Sequence, residues 1–329
     1  MNKLKDQFGR RHEYLRISVT DRCNLRCRYC MPAEGVEMQP HEELLTFDEI
    51  DALTRVFVDL GIHKVRLTGG EPLVRRDIEH LCRKLGKIPK LEALAISTNG
   101  VLLPEKAKAL HWAGVEHINI SLDTLRPDRF EYIAFRHKLE DVLRGIEAAY
   151  RAGFHSVKIN TVVMKGFNDD ELFDFVDFAK FFSLNVRFIE YMPFLGNCWD
   201  SVKLMPYSEM FEMITSRYQL VPVRDGSIFA GPAKEFRIDD CGAVIGFITT
   251  MTDRFCHSCN RLRLTADGKL RNCLFAEDEV DLKRLLRSGA DRYEIESAIR
   301  SNVFQKWERH PDTHELLRQS NRAMVAIGG

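Results

Sequence analysis

The chain has 329 residues, 48 Lys+Arg against 48 Asp+Glu and therefore a formal net charge of zero, with 45% hydrophobic content. That length supports one large core and a smaller second unit, and the charge balance excludes the net basic surface typical of nucleic-acid or anionic-membrane binders. No run of about 18 apolar residues offers a membrane span, and residues 1–10 lack the apolar core of a signal peptide, so a cytoplasmic setting is expected.

The first half alternates strand-like and helix-like runs. Residues 14–19 are β-rich and run directly into a cysteine cluster at 23–30. Thr46, with Glu49 three residues on, predicts a capping box for a helix over 47–60 that ends at Gly61. A strand over 64–68 empties into Gly69, Gly70, Glu71 and Pro72. Then come a helix over 76–85, a strand over 94–98 with the turn Asn99–Gly100, a helix over 104–113 and a strand over 117–122 reaching Asp123. A helix over 140–152, a strand over 157–163, a helix over 169–182 and a strand over 186–190 complete six βα units. Such alternation implies an α/β fold of parallel strands, with ligands collecting at the C-terminal strand ends. After Met205 the pattern changes to a helix over 207–218, short β-like pieces at 235–238 and 243–248, helices over 282–287 and 293–307, and a polar tail ending in Gly328 and Gly329. The expected division is 1–210 and 211–329.

Of nine cysteines, six fall in two tight groups, which fits metal binding in a reducing compartment better than a disulfide framework. Cys82, Cys198 and Cys241 stand alone and are expected to be small buried hydrophobes. In the first group Cys23, Cys27 and Cys30 have the spacing C-x3-C-x2-C. Three thiolates from one loop can hold an iron–sulfur cluster while leaving one iron open. A structural zinc site needs a fourth ligand, and the next His is the distant His41. Tyr29 either shields such a cluster, packs on a bound base, or simply packs the loop. Gly69 and Gly70 permit close backbone approach, and the Glu71 carboxylate could receive an ammonium group, although alone the tetrapeptide could be merely a turn.

These motifs together resemble the radical S-adenosylmethionine superfamily. The resemblance implies a partial (β/α)6 barrel of the TIM-like type. Its three-cysteine [4Fe–4S] cluster would bind S-adenosylmethionine at the open iron and split it to a 5′-deoxyadenosyl radical.

The second group, Cys256, Cys259 and Cys273, again offers three cysteines, at C-x2-C-x13-C. A zinc ribbon using His257 is the alternative, although His257 lies awkwardly inside the C-x2-C turn. Between these cysteines, alternation puts Arg261 and Arg263 on one strand face and Leu262 and Leu264 on the other. Paired guanidiniums suit a polyphosphate; a solvated face is the plainer reading. Arg16, Arg66, Lys158 and Arg187 lie within barrel strands, where a charge is costly unless paired. Each could pair with Asp123 or Glu190, but together with Arg261 and Arg263 they favour a highly anionic ligand.

The full set resembles the GTP 3′,8-cyclase family, which begins molybdenum-cofactor biosynthesis, over nearly the whole chain from about Leu15 to Gly329. The segments carrying the likeness are TDRCNLRCRYCMP at 20–32, VRLTGGEP at 65–72, RFIEYMP at 187–193, residues 255–265 with NRLRLT, and the terminal Gly-Gly. By resemblance, Cys23, Cys27 and Cys30 hold the first cluster, and Tyr29, Gly70, Ser121 and Met192, with Glu71, contact S-adenosylmethionine. Arg16, Arg66, Thr98, Lys158, Arg187, Arg261, Leu262 and Arg263 would contact GTP. Cys256, Cys259 and Cys273 would hold a second [4Fe–4S] cluster that meets the guanine. Gly328 and Gly329, which unaided read as a frayed end, would reach the active site.

The implied reaction takes the 3′ hydrogen of GTP and joins C3′ to C8, giving (8S)-3′,8-cyclo-7,8-dihydroguanosine 5′-triphosphate. Implied partners are a flavodoxin- or ferredoxin-type electron donor, cyclic pyranopterin monophosphate synthase as recipient of the product, and a second copy in a homodimer; no nucleic acid or membrane is implied. Residues 249–252 and the pair Asp240–Cys241 depart from the family pattern, which bears on loop packing only. Two other readings remain open at this point: a different radical enzyme with an auxiliary cluster, for example a peptide-modifying one, and a zinc-binding interaction module.

Overall fold

The computed structural model describes residues 3–32, 34–223, 231–238, 241–318 and 322–328. Its strands are β1 (Tyr14–Ser18), β2 (Lys64–Thr68), β3 (Ala93–Thr98), β4 (His117–Ser121), β5 (Ser156–Val163), β6 (Asn185–Glu190), β7 (Leu220–Pro222), β8 (Lys234–Ile238), β9 (Val244–Ile248), β10 (Arg261–Leu264), β11 (Lys269–Arg271) and β12 (Val280–Asp281). The helices are α1 (Phe47–Asp59), α2 (Ile78–Leu85), α3 (Leu103–Trp112), α4 (Pro127–Ala134), α5 (Leu139–Ala152), α6 (Leu172–Phe182), α7 (Tyr207–Thr215), α8 (Leu282–Arg287), α9 (Arg292–Phe304), α10 (Thr313–Arg318) and α11 (Met324–Ile327).

All strands share one sheet in the order β12-β11-β10-β1-β2-β3-β4-β5-β6-β9-β8-β7. Strands β1 to β6 run parallel, as the βα alternation predicts. Strands β10 and β9 extend this parallel array on its two sides, pairing with β1 and β6. The outermost strands are antiparallel, and β12 and β7 are free edges, so the sheet is a partial barrel that does not close. Chain from both sides of residue 210 therefore contributes to one sheet.

Strict alternation along the strands decides what faces inward. Leu15 and Ile17 of β1, Val65 and Leu67 of β2, and Ile118 and Ile120 of β4 are fully buried under the helix layer. Buried parallel strands usually read as continuous apolar runs; here every second position is polar instead, and those positions turn to the concave side. Leu262 and Leu264 likewise join the core. The α1 capping box forms as expected, with Glu49 N–H donating to Thr46 and Thr46 N–H to Glu49.

Helix boundaries fall within a few residues of expectation, except that α4, α10 and α11 appear where none was predicted. Each has eight residues or fewer, too short for its periodicity to stand out. The buried-hydrophobe expectation holds for Cys82, whereas Cys241 is half-buried and Cys198 is exposed with φ of +48°. Asp240 and Gly329 lie outside the described residues. Among the described residues no helix is long and apolar enough to cross a membrane.

Candidate active site

The loop after β1 is fastened to the loop after β2. Val19 N–H donates to the Thr68 carbonyl at 2.9 Å, Gly70 N–H to that of Thr20 at 2.7 Å, and Glu71 N–H to that of Arg22 at 2.8 Å. A Cβ on Gly70 would stand 2.3 Å from the Arg22 carbonyl oxygen, so this approach requires glycine. The glycines thus seat the cysteine loop.

The Glu71 carboxylate accepts from Leu73 N–H (3.0 Å), the Thr98 hydroxyl (2.8 Å) and Asn99 N–H (2.6 Å) and is 1% exposed. Those three donors tie the strand ends together through one carboxylate, which keeps acceptor capacity on Oε2. Burial raises its pKa to about 7. Thr98 is taken up in the same network and also accepts from Gly100 N–H. Asn99 passes the order on, donating to Asn24 at 2.7 Å and to the Cys23 sulfur at 3.9 Å.

Cys23, Cys27 and Cys30 are thereby gathered in one loop, with Cys30 N–H donating to the Cys27 carbonyl at 2.8 Å. Burial pushes the Cys23 thiol up to about 11 and the Cys30 thiol up to about 12, and Cys27 is raised too. Such thiols ionise together only beside a strong cation, which a cationic iron centre supplies. No three described His, Cys, Asp or Glu side chains converge on a single-ion position. Beside this trio Tyr29 is hydrogen-bonded to Asp123, whose pKa burial raises to about 6.

The second trio is seated from three directions. Arg10 donates to the Cys256 carbonyl (2.7 Å) and to those of Glu308 (2.8 Å) and Trp307 (2.5 Å), while its Nε meets Asp6 at 2.5 Å. Lys306, 3% exposed, donates to the carbonyls of Arg261 (2.8 Å) and Asn272 (2.5 Å). Glu190, fully buried, accepts from Tyr207 N–H (3.0 Å), Met251 N–H (2.6 Å), Thr252 N–H (3.0 Å) and the Thr252 hydroxyl, fixing the approach to Cys256. Burial raises the Cys259 thiol, but Lys306 and Arg261 outweigh it and hold it at about 6.

A cavity of about 390 Å³ reaches from Tyr29, Ser121, Asp123 and Met192 beside the first trio to Cys256, Cys259 and Cys273. Among the described residues Arg16, Lys64, Arg66, Lys158, Arg187, Arg261, Arg263 and Lys306 line it, against the single carboxylate of Asp123. Register sets the cations in rows: Arg263, Arg16 and Arg66 are neighbours across β10, β1 and β2, and Arg261, Tyr14 and Lys64 form the next row. The Tyr14 hydroxyl accepts from Arg66 at 2.6 Å. Burial raises this phenol, yet Arg66, Arg16 and Lys64 more than offset it and hold it at about 7. Burial also lowers Arg16 to about 10. This much positive charge in so little polar solvent calls for an anion.

Gly70, Glu71 and Thr98 do not line the cavity, and Leu262 points into the core. Gly328 reaches the site from the chain's far end, its carbonyl accepting from Arg263 at 2.7 Å. The sequence reading passed over Tyr14, Lys64, His117, Asn119, Asn160 and Lys306. All but Lys306 stand two residues from a singled-out strand position, Arg16, Arg66, Ser121 or Lys158, or from one another, so the period of two was the available signal.

Residues 17–179 match the Radical SAM superfamily model and residues 184–312 the Molybdenum Cofactor Synthesis C model. The chain is 47% identical to the mitochondrial GTP 3′,8-cyclase of Arabidopsis thaliana over 99% of its own length and 83% of that protein. It is 46% identical to the GTP 3′,8-cyclase of Pelotomaculum thermopropionicum over 99% of the chain and 100% of that protein. Molybdenum cofactor biosynthesis protein 1 of Mus musculus is 45% identical over 99% of the chain, which spans 51% of that longer protein. In fold, the chain is similar to Streptococcus suis SuiB bound to S-adenosylmethionine, with TM-score 0.60, 17% identity, 88% of this chain and 68% of that one. On the strength of these full-length likenesses, the chain belongs to the GTP 3′,8-cyclase family of the radical S-adenosylmethionine superfamily.

Proposed function

We propose that this chain is a GTP 3′,8-cyclase, acting at the first step of molybdenum-cofactor biosynthesis and holding GTP in the cationic cavity between the two cysteine trios. The observation that carries the reading is the charge of that cavity: among the described residues eight Lys or Arg side chains line it against one carboxylate, together with Cys256, Cys259 and Cys273 and with Tyr29, the neighbour of Cys30. The donor sets fit the groups the family uses: three cysteines in each group, which leaves one iron of a four-iron cluster open. When bound, S-adenosylmethionine on a [4Fe–4S] cluster at Cys23, Cys27 and Cys30 supplies radical abstraction of the 3′ hydrogen, and a second [4Fe–4S] cluster at Cys256, Cys259 and Cys273 supplies an open iron for the guanine.

The chain's own share is placement. Arg16, Arg66, Lys158, Arg187, Arg261 and Arg263 neutralise the triphosphate from strand positions fixed by register, so little ordering is left to binding. Tyr29, Ser121 and Met192 form the cosubstrate side, with Gly70, Glu71 and Thr98 fixing the strand ends beneath it. Lys306 and Arg10 steady the loop that faces the base, and the Gly328 backbone positions Arg263. The partial barrel walls keep water from the reacting carbons.

In this reading residues 1–210 generate the reactive species and 211–329 hold the substrate. A flavodoxin or ferredoxin donor, product transfer to cyclic pyranopterin monophosphate synthase, a homodimer and a cytoplasmic setting complete it, on family likeness alone. The test is anaerobic turnover of GTP deuterated at C3′. Deuterium recovered in 5′-deoxyadenosine supports the reading, and 5′-deoxyadenosine without deuterium overturns it. A Cys256→Ser protein that cyclised GTP at the wild-type rate would remove the second cluster from the account.

A further inference from the structure

Two of the cavity's cations share one carboxylate that the sequence reading did not single out. Glu235, on β8, accepts through one oxygen from Arg187 Nη2 (2.6 Å), Arg187 Nε (3.2 Å), Lys158 Nζ (3.1 Å) and Asn185 Nδ2 (3.4 Å). The register shows why they meet. Arg187 on β6 lies opposite Gly246 on β9, and Gly246 lies opposite Glu235 on β8. A Cβ on Gly246 would stand 3.0 Å from the Arg187 Cγ and 3.5 Å from the Glu235 Cγ. The bare glycine thus leaves a gap across which the flanking side chains reach each other.

Lys158 and Arg187 line the cavity, whereas Glu235 does not; it stands behind them. The side chains of Arg187 and Glu235 are 9% and 15% exposed, so solvent screens the pair weakly. Glu235 occupies only the rear donors. Among the described residues Arg187 Nη1 is not engaged by Glu235, and Lys158 has further N–H bonds, so both can reach a ligand. The carboxylate therefore does two things at once: it orients both cations and cancels one of their two charges. One further net positive charge in a cavity that also presents Arg16, Arg66, Arg261 and Arg263 would tighten its grip on a polyphosphate, substrate and product alike.

We propose that Glu235 is a specificity-setting counter-charge that lowers the affinity of the cavity for polyphosphate while keeping Lys158 and Arg187 aimed. The inference rests on the GTP reading for its substrate, but its core concerns phosphate charge alone. E235Q keeps an acceptor oxygen for both cations and removes the negative charge. Binding of tripolyphosphate, GTP and GMP to anaerobically reconstituted wild-type and E235Q protein is measured by calorimetry at increasing KCl. The variant should bind tripolyphosphate and GTP roughly fivefold more tightly at low salt, gain less for GMP, and lose its advantage as salt screens the added charge. Unchanged or weaker tripolyphosphate binding by E235Q overturns the proposal. The shorter amide of E235N carries the same expectation should E235Q fail to fold. Wild-type protein that bound ATP as well as GTP would count against the guanine reading instead, leaving the tripolyphosphate comparison to decide the role of Glu235.

Discussion

Arg263, on β10 between Cys259 and Cys273, donates from Nη1 to the carbonyl of Gly328 at 2.7 Å, and both groups are buried. A residue one place from the chain's end thereby orients a cation of the substrate cavity. Gly328 has φ of +73°, and a Cβ there would stand 2.6 Å from the Thr68 hydroxyl and 2.9 Å from the Ser18 Cβ. Gly328→Ala should lower cyclisation by roughly tenfold or more through misplacement of Arg263, with the iron content of the protein unchanged. Product assay and iron analysis on one preparation check both halves.

Arg10 ties the N-terminal segment to the second trio by its contact with the Cys256 carbonyl. Arg10→Ala removes the donor that serves three backbone carbonyls at once. Iron after anaerobic reconstitution should fall from about eight to about four per chain, as the second four-iron cluster is lost and the first is kept. Full iron content in the variant would contradict this role.

His12 supplies a pH dependence. Burial, then the charge of Lys306, holds its pKa at about 4 against the pull of Asp6. The folded value lies below the ordinary 6.5, so the unfolded chain takes up a proton first as pH falls. The contribution is whole above pH 6.5 and is lost progressively toward pH 4, reaching about 2 kcal/mol at pH 5. The drop in Tm from pH 7.5 to pH 5 should be smaller in His12→Gln than in wild type, read by thermal melts at both pH values.

Glu190 gathers three backbone N–H groups and one hydroxyl in a fully buried position. Glu190→Ala leaves these donors unpaired and should cost about 3 kcal/mol, measured by urea unfolding. The sequence weighs Glu190 as a partner for a barrel cation; the structure gives its lone pairs to Tyr207 N–H and to Met251 and Thr252 in the loop ahead of Cys256.

Much of this was legible in the sequence because it is local. The period of two that buries Leu15 and Ile17 is the same one that turns Arg16 inward, and the Thr46–Glu49 capping box is written within four residues. What was not legible depends on distant pairing. Nothing near residue 263 says that β10 lies beside β1, which sets Arg263 in line with Arg16 and Arg66. Likewise Gly246 looks like any strand glycine until Arg187 and Glu235 are seen on either side of it. Gly70 and Glu71 read as ligand contacts because glycine and a carboxylate suit ligands; that they also bond to the cysteine loop and the β3 end depends on pairing far along the chain.

The central claim, that the cationic cavity presents GTP to radical chemistry begun at Cys23, Cys27 and Cys30, is tested most directly by one comparison. Reduced, reconstituted protein is incubated anaerobically with S-adenosylmethionine and each of the nucleoside triphosphates in turn, and 5′-deoxyadenosine is quantified. 5′-Deoxyadenosine is expected above background with GTP alone, together with a cyclised GTP product. Equal 5′-deoxyadenosine with every nucleotide, or none with GTP, would contradict it.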